Sequence, residues 1–266
     1  MWMTKTSILV VAAMGLAAWL SIGNVGIGQA GQSQVVITYP PVSNLHMQQR
    51  QFWMQGRLLE GMSEGLAQIK WPRQLTLMAV ECGQANAFYN QQQHSITICY
   101  EFADYLFQMF SQTQLPQDQQ NLLSGGALMF TLLHEAGHAV IGEFNIPAIG
   151  REEDAADQFA TIAFVADPNG TQLLMGPLWW FQLRSQQSKN FLGFDTRDAK
   201  SLYGDEHGVD EQRFYNISCL LYGSNPSAHQ EVIASGMLTP ERAPRCPSEY
   251  QKIRRSWELL LTQKGG

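Results

Sequence analysis

Strand-like sequence in this chain is confined to one early block, and helical patterns follow it almost to the C-terminus. Runs typical of strands lie at 75–81 and 95–100, after an extended segment at 35–41. Apolar residues recur with a helical period at about 45–69, between the extended segment and the strands. After the strands, helices are predicted at about 102–112, 117–144, 150–165, 171–185, 211–222 and 247–262. Because strands and helices are segregated, we predict an α+β fold: one domain over residues 31–266, with a small antiparallel sheet and a mostly helical C-terminal half.

The first thirty residues are predicted to be a targeting segment. Lys5 is the only charged residue before an apolar run at 8–20, and the small residues Gly28 and Ala30 match a cleavage site. These features are typical of a secretory signal peptide at 1–30. The alternative is an uncleaved anchor, because apolar residues continue to Ile27 and a membrane helix needs about 20 of them. Under either interpretation, the domain is exported to the periplasm or the extracellular space. A membrane contact is expected only if the segment at 1–30 stays uncleaved.

Charge and composition exclude two classes of protein. The chain has 17 Lys and Arg residues and 23 Asp and Glu residues, and its longest basic run is Arg254-Arg255. We therefore expect no nucleic-acid partner. With 45% hydrophobic and 15% charged residues, the chain is also too apolar to be disordered.

Four cysteines in an exported chain predict two disulfides. Cys82 and Cys99 lie symmetrically about Asn90-Gln91, where a turn is expected, so the flanking strands would form a hairpin that places them opposite each other. Cys219 and Cys246 would then pair, joining a helix to the C-terminal segment. A zinc–thiolate cluster is the alternative, although the sequence has no C-x-x-C pair.

The segment His134-Glu-Ala-Gly-His138 lies within the longest predicted helix. Two histidines four residues apart project from the same face of a helix, where their imidazoles can bind one Zn²⁺. Glu135, next to the first histidine, can accept a proton from an attacking water and act as the general base. A histidine-bearing helix without a metal is the alternative reading.

A third zinc ligand is needed, and the next predicted helix offers acidic residues. Glu153 and Asp157 are four residues apart, with small residues beside them at Ala156 and Ala160 that would allow close helix packing. We predict Glu153 as the ligand, with Glu152 as the alternative. Asp157 is expected to accept the second ring N–H of a zinc-bound histidine. Acids in a first turn also complement the helix dipole, but that role does not explain this spacing.

The order of these motifs resembles the gluzincin clan of zinc metallopeptidases, which includes thermolysin. The segment Asn86-Ala87-Phe88 is similar to the clan's edge strand, which pairs with an extended substrate backbone. The resemblance implies a zincin-like domain whose edge strand packs on the motif helix, with a peptide substrate bound at Asn86 and Ala87. It also implies that one zinc ion is bound by the three predicted ligands, His134, His138 and Glu153.

A closer resemblance is to a bacterial domain-of-unknown-function family of proposed metallopeptidases, carried by the stretches 82–89, 150–157 and 205–213. Thermolysin-like enzymes use a later histidine to stabilise the oxyanion, which makes His207 the catalytic candidate here. His207 could instead be a surface residue of an acidic loop or lie at a helix start. Arg213 either adds positive charge near the site or pairs with Asp210 or Glu206.

The leading hypothesis is an exported zinc-dependent endopeptidase that acts on peptide or protein substrates. The second hypothesis is a catalytically quiet zincin-like domain that serves as a binding or assembly factor outside the cytoplasm. The other histidines, His46, His94 and His229, lie in polar contexts and are expected at the surface.

Overall fold

The computed structural model describes residues 34–167, 169–187 and 206–264. The predicted targeting segment at 1–30 lies outside these ranges. Within the described ranges, none of the helices combines the length and hydropathy that a membrane span requires.

Four short strands form one mixed sheet: β1 (Val35–Thr38), β2 (Leu75–Val80), β3 (Ala87–Asn90) and β4 (Ser95–Cys99). Their order is β1-β2-β4-β3, so β3 lies at one edge. β1 and β4 run parallel to β2, and only β3 and β4 are antiparallel. The α+β class is confirmed, but the predicted antiparallel sheet is wrong. The turn after Asn90 joins β4 to β3 rather than to β2, so β2 pairs with the other side of β4 in the same direction.

Helices dominate the rest of the described chain. They are α1 (Met47–Gln55), α2 (Leu58–Leu66), α3 (Tyr100–Ser111), α4 (Gln117–Glu143), α5 (Glu152–Ala166), α6 (Gly170–Gln187), α7 (Asp210–Ser224), α8 (Glu231–Ala234), a 3₁₀ turn (Ala243–Arg245) and α9 (Cys246–Lys264). The pattern at 45–69 predicts one helix but the structure has two. Arg57 has a φ of 56°, in the left-handed region, which interrupts the helical path after Gly56.

Both predicted disulfides are present. Cys82 follows β2 and bonds to Cys99 at the end of β4. Because β2 and β4 are parallel neighbours, their ends lie at the same edge of the sheet, so the pairing is correct although the predicted hairpin is not. The Cys219–Cys246 bond joins α7 to the start of α9.

The long helix α4 is central to the core and contacts α3, α5, α6, β3 and β4. It is buried on most sides, which is why its apolar residues do not form a single stripe. Its crossing with α6 is very close, since a Cβ on Gly126 would lie 2.1 Å from the carbonyl oxygen of Leu173. Only glycine is compatible with this approach, which brings α4 and α6 into backbone contact.

Candidate metal centre

The second half of α4 carries the histidine motif into a mostly buried position. His134 is 4% exposed and Glu135 is 8% exposed. The helix α5 crosses at this level, and a Cβ on Gly137 would lie only 2.9 Å from the Cα of Ala156. The close packing expected from the alanines of α5 is therefore present. Its counterpart on α4, Gly137, lies inside the motif and was not singled out in the sequence.

The three predicted ligands meet at one point. His134 Nε2 lies 3.0 Å from Glu153 Oε2, and His138 Nε2 lies 3.2 Å from Glu153 Oε1. The two Nε2 atoms are 3.2 Å apart. Ligands about 2.0 to 2.1 Å from a tetrahedral zinc ion are about 3.3 Å from one another. Two imidazoles and one carboxylate with these separations therefore fit a metal ion, and these residues could hold one.

Glu152 and Glu153 occupy different places, which separates the two alternatives for the third ligand. Glu153 faces the Nε2 atoms of both histidines. Glu152 lies behind His138, with Oε1 2.7 Å from Nδ1. Glu152 thus supports the orientation of the ring rather than joining the three-residue cluster.

Asp157 supports the other histidine from behind. Its Oδ1 accepts a hydrogen bond from His134 Nδ1 at 2.8 Å, as the sequence predicts for a tautomer-fixing acid. Arg213 also binds it, donating from Nε to Oδ2 at 2.7 Å and from a terminal nitrogen to Oδ1 at 2.6 Å. Of the two roles that the sequence left open for Arg213, this contact agrees with positive charge near the site rather than with a pair to Asp210 or Glu206. Asp157 as its partner was not predicted, because the two residues belong to different helices and no sequence spacing connects them.

The electrostatics of the cluster follow from these contacts. Burial lowers the pKa of His134, but the bonds to Asp157 and Glu153 outweigh it and raise the pKa to about 9. Burial raises the pKa of Asp157, and the charge of Arg213 together with its bonds holds that pKa well below the usual range. The pKa of Glu153 is also lowered, because its three histidine contacts outweigh burial. The carboxyl groups of Glu153 and Asp157 are therefore ionised, which favours a cation at the cluster.

Glu135 lies beside the cluster and faces the edge strand. The main-chain N–H of Tyr89 in β3 donates to Glu135 Oε2 at 2.8 Å. Burial raises the pKa of Glu135, while the neighbouring His134 and His138 act in the opposite direction. A raised pKa makes the carboxylate a better proton acceptor, which is the direction that a general base needs.

Asn86 and Ala87 lie where β3 begins, at the mouth of the site. The carbonyl of Asn86 accepts a hydrogen bond from Cys99 N at 3.0 Å, and its side-chain oxygen accepts one from Ala87 N at 3.0 Å. The preceding loop is held by Glu101, whose carboxylate accepts the N–H groups of Cys82 and Gly83. These contacts fix the start of the edge strand close to the cluster.

Two clefts open on either side of the cluster. One, of about 640 Å³, is lined by the aromatic side chains Phe102, Tyr105, Phe130 and Trp180. The other, of about 840 Å³, is lined by the acidic side chains Glu152, Glu153 and Glu206. The residues that line both clefts are Asn86, Ala87, His134, Glu135 and His207.

His207 comes from the segment before α7 and overhangs the same cluster. Its Nε2 lies 2.9 Å from Glu153 Oε2, and its ring stacks 6.1 Å from the ring of His134. The side chain is 41% exposed, so it can face both the cluster and solvent. The structure therefore brings His207 to the site and does not leave it in a distant surface loop.

The expectation that the other histidines lie at the surface is wrong for His46. His46 is 2% exposed, with Nδ1 2.6 Å from Glu81 and Nε2 3.2 Å from Asp104. His94 and His229 are partly buried. The partners of His46 are distant in sequence, so the polar residues around it gave no signal of its burial. The cysteines are all in disulfides, which removes the zinc–thiolate alternative.

Comparison with known families supports this reading of the site. A family model described as "Putative metallopeptidase" matches residues 39–261, a span that includes the histidine motif, the acidic helix and His207. No curated protein and no solved structure matches the chain. Because the family model covers most of the sequence, the chain belongs to this metallopeptidase family.

Proposed function

We propose that the protein is an exported zinc metallopeptidase with a zincin-like domain of the gluzincin type over residues 31–266. Family membership implies a metal and a protein substrate. The observation that carries the proposal is the convergence of His134, His138 and Glu153 to within 3.2 Å of one another. Glu135 and an edge strand lie beside that point, as peptide hydrolysis requires.

The residues present fit one Zn²⁺. With a metal ion in place of their Nε2 protons, His134 and His138 would supply neutral imidazole nitrogens and Glu153 would supply a carboxylate, a ligand set typical of catalytic zinc. Bound there, zinc supplies a Lewis acid that polarises a carbonyl and acidifies water. Asp157 and Glu152 hold the two rings from behind, which fixes the tautomers that leave the Nε2 atoms free to bind the ion.

Glu135 is the proposed general base. Its carboxylate accepts a proton from the attacking water and then donates this proton to the leaving amine of the cleaved peptide bond. The side chain is mostly buried but reaches both clefts, and the Tyr89 N–H holds one of its oxygens. His207 is the proposed donor to the oxyanion, since its ring overhangs the cluster from the cleft side.

The edge strand is the proposed binding surface for an extended substrate. Among the described strands β3 pairs only with β4, so its outer edge is the place where a peptide would add by β-augmentation. The N–H groups of Ala87 and Tyr89 on that edge donate to the Asn86 side chain and to Glu135, so a bound peptide would replace one or both of these bonds. Asn86 and Ala87, at the start of β3, line both clefts and would contact the residues around the scissile bond. A peptide crossing from one cleft to the other would pass over the cluster.

An exported location agrees with the disulfides. Two disulfide bonds with no free cysteine are typical of proteins that fold in an oxidising compartment outside the cytoplasm. We propose that residues 1–30 direct the chain there, as a signal peptide or an anchor.

The test is Glu135→Gln, which keeps the shape of the side chain and removes its basicity. We expect about one zinc ion per chain in the purified wild type and in the variant. Cleavage of casein should fall by about 10²- to 10⁴-fold in the variant, the usual contribution of a general base. Glu64→Gln, at a side chain that is 66% exposed, is the matched control and should cleave like the wild type.

Two results would contradict the proposal. Absence of bound metal in the purified protein would show that the three residues do not form a metal site. Undiminished cleavage by Glu135→Gln would show that Glu135 is not the general base. A Glu135→Gln protein that still complements a deletion strain would favour the binding or assembly factor.

A further inference from the structure

A second cluster of polar side chains lies at the C-terminal end of α4, two turns beyond Glu135. Its centre is Glu143, whose side chain is only 1% exposed. Its carboxylate accepts hydrogen bonds from Tyr89 Oη at 2.6 Å, His94 Nδ1 at 2.7 Å and Arg73 Nε at 2.8 Å. Arg73 also donates to His94 Nε2 at 3.3 Å, which completes the set. None of these residues is a proposed zinc ligand.

The three donors come from three different parts of the chain. Tyr89 belongs to the edge strand β3, His94 precedes β4, and Arg73 precedes β2. Burial alone would raise the pKa of Glu143, but the bonds from Tyr89 and His94 outweigh it and hold the pKa below its usual range. A buried ionised carboxylate adds little net stability compared with apolar packing, but its directional bonds fix the geometry of the groups around it.

Tyr89 links this cluster to the proposed base. Its hydroxyl binds Glu143, and its own main-chain N–H binds Glu135. Between these two contacts its ring lies against Gly142, where a Cβ would come within 2.9 Å of the ring. One residue of β3 is thus attached to α4 over two helical turns.

We propose that Glu143 is a positioning residue that holds β3 against the motif helix through Tyr89. In this arrangement the main chain of β3 faces the substrate and donates to Glu135, so the substrate edge and the base are aligned by one side chain. The kinetic part of this inference rests on the proposed function, whereas the structural part does not.

Tyr89→Phe tests the link with the least disturbance, because it keeps the ring over Gly142 and removes only the bond to Glu143. We expect amide hydrogen exchange in residues 87–90 to become about tenfold faster, the effect of losing one charge-assisted hydrogen bond. Exchange in the first half of α4 should not change. Glu143→Gln should give the same local effect, and the double variant should add little to either single one.

Arg73→Gln is the matched control. It removes a different donor from the same carboxylate without touching β3, so exchange in residues 87–90 should stay within about twofold of the wild type. In the zinc-loaded protein, Tyr89→Phe should lower kcat/KM for peptide cleavage by about tenfold with the zinc content unchanged, whereas Arg73→Gln should not.

Two outcomes overturn the proposal: unchanged exchange of β3 in Tyr89→Phe, or an equal increase in Arg73→Gln. The exchange measurement needs no activity, so it decides the role of Glu143 even if Glu135→Gln shows that the protein is not a peptidase. If Glu143→Gln does not fold, Tyr89→Phe and Arg73→Gln still give the answer.

Discussion

His134 and His46 are both buried and each lies between two carboxylates, yet only His134 belongs to the candidate metal centre. His134 has Asp157 at Nδ1 and Glu153 at Nε2, at 2.8 and 3.0 Å. His46 has Glu81 at Nδ1 and Asp104 at Nε2, at 2.6 and 3.2 Å. The local chemistry is almost the same.

The surroundings of the two rings differ. Glu153 and Asp157 are 14% and 9% exposed, whereas Glu81 and Asp104 are 27% and 48% exposed. His134 also has a second imidazole 3.2 Å away, from the motif spacing, and an arginine that binds its supporting acid. Among the described residues, His46 is not part of any cluster of three ligand atoms. A buried imidazole between two carboxylates therefore does not by itself form a candidate metal site. Further ligand atoms must lie close to the same ring nitrogen, as His138 Nε2 does for His134.

Removing the arginine behind His134 should have the largest effect on stability. Arg213→Met leaves Asp157 buried without its charged partner, so we expect a loss of about 3 to 5 kcal/mol in the free energy of unfolding. Urea denaturation measures it. The control is Arg57→Met, at an arginine that lies 2.8 Å from Glu64 with both side chains 66% exposed, where the loss should stay below about 1 kcal/mol. Similar losses in the two variants would show that Asp157 does not depend on Arg213.

Separating the two helices at the motif should have the next largest effect. Gly137→Ala places a Cβ 2.9 Å from the Cα of Ala156, a backbone atom that cannot move without shifting α5. We expect a loss of about 1 to 3 kcal/mol in the free energy of unfolding, typical of overpacking, together with weaker zinc binding because Glu153 moves away from the histidines. Thermal denaturation and zinc titration measure the two effects. Adding Ala156→Gly to Gly137→Ala should restore only part of the lost stability, because the Cα of residue 156 is still in the way. Zinc affinity equal to the wild type would contradict the role of this contact.

Weakening the support of His138 should have a smaller effect, on zinc affinity alone. Glu152 binds its Nδ1 at 2.7 Å from a position that is 48% exposed. We expect Glu152→Gln to lower zinc affinity by about tenfold, the low end for residues that orient metal ligands. Competition with a chelator measures it. Asp154→Asn, in the same first turn of α5, is the control and should bind zinc like the wild type. An unchanged affinity in Glu152→Gln would mean that His138 needs no such support.

Breaking the other carboxylate–imidazole cluster should have the smallest effect, and one that depends on pH. The bonds to Glu81 and Asp104 outweigh burial and raise the pKa of His46. The contribution of His46 to the free energy of unfolding is therefore complete below its unfolded pKa of about 6.5, and it is lost as the pH rises through the raised pKa. The Ser43 and His46 contacts lower the pKa of Glu81 to about 2, so its contribution is lost as the pH falls below its ordinary range.

His46→Gln should therefore melt about 2 to 4 °C below the wild type near pH 5 to 6, with a smaller difference at high pH. Melting curves across the pH range measure this. A difference that grows with pH would mean that His46 is buried in its neutral form.

Much of this molecule follows from its sequence. The sequence predicts α3 to α7 and α9 to within a few residues, because each is an apolar-rich segment too long to be a strand. Spacing of four on one helix brings His134 and His138 together, and the same spacing on the next pairs Glu153 with Asp157. The cysteine pairing was also predicted correctly, although the sheet that brings Cys82 to Cys99 was not.

Only the tertiary structure decided the remainder. The direction of β2 beside β4, the burial of His46, the bond from Arg213 to Asp157 and the attachment of Tyr89 to Glu143 join residues far apart in sequence. Local spacing determines which side chains share a face of one helix, since the helix fixes their geometry. Contacts between different helices depend instead on how closely the helices can pack. In this protein, the absence of a side chain at Gly137 lets α4 approach Ala156 of α5, and a single methyl group there would keep the two helices apart.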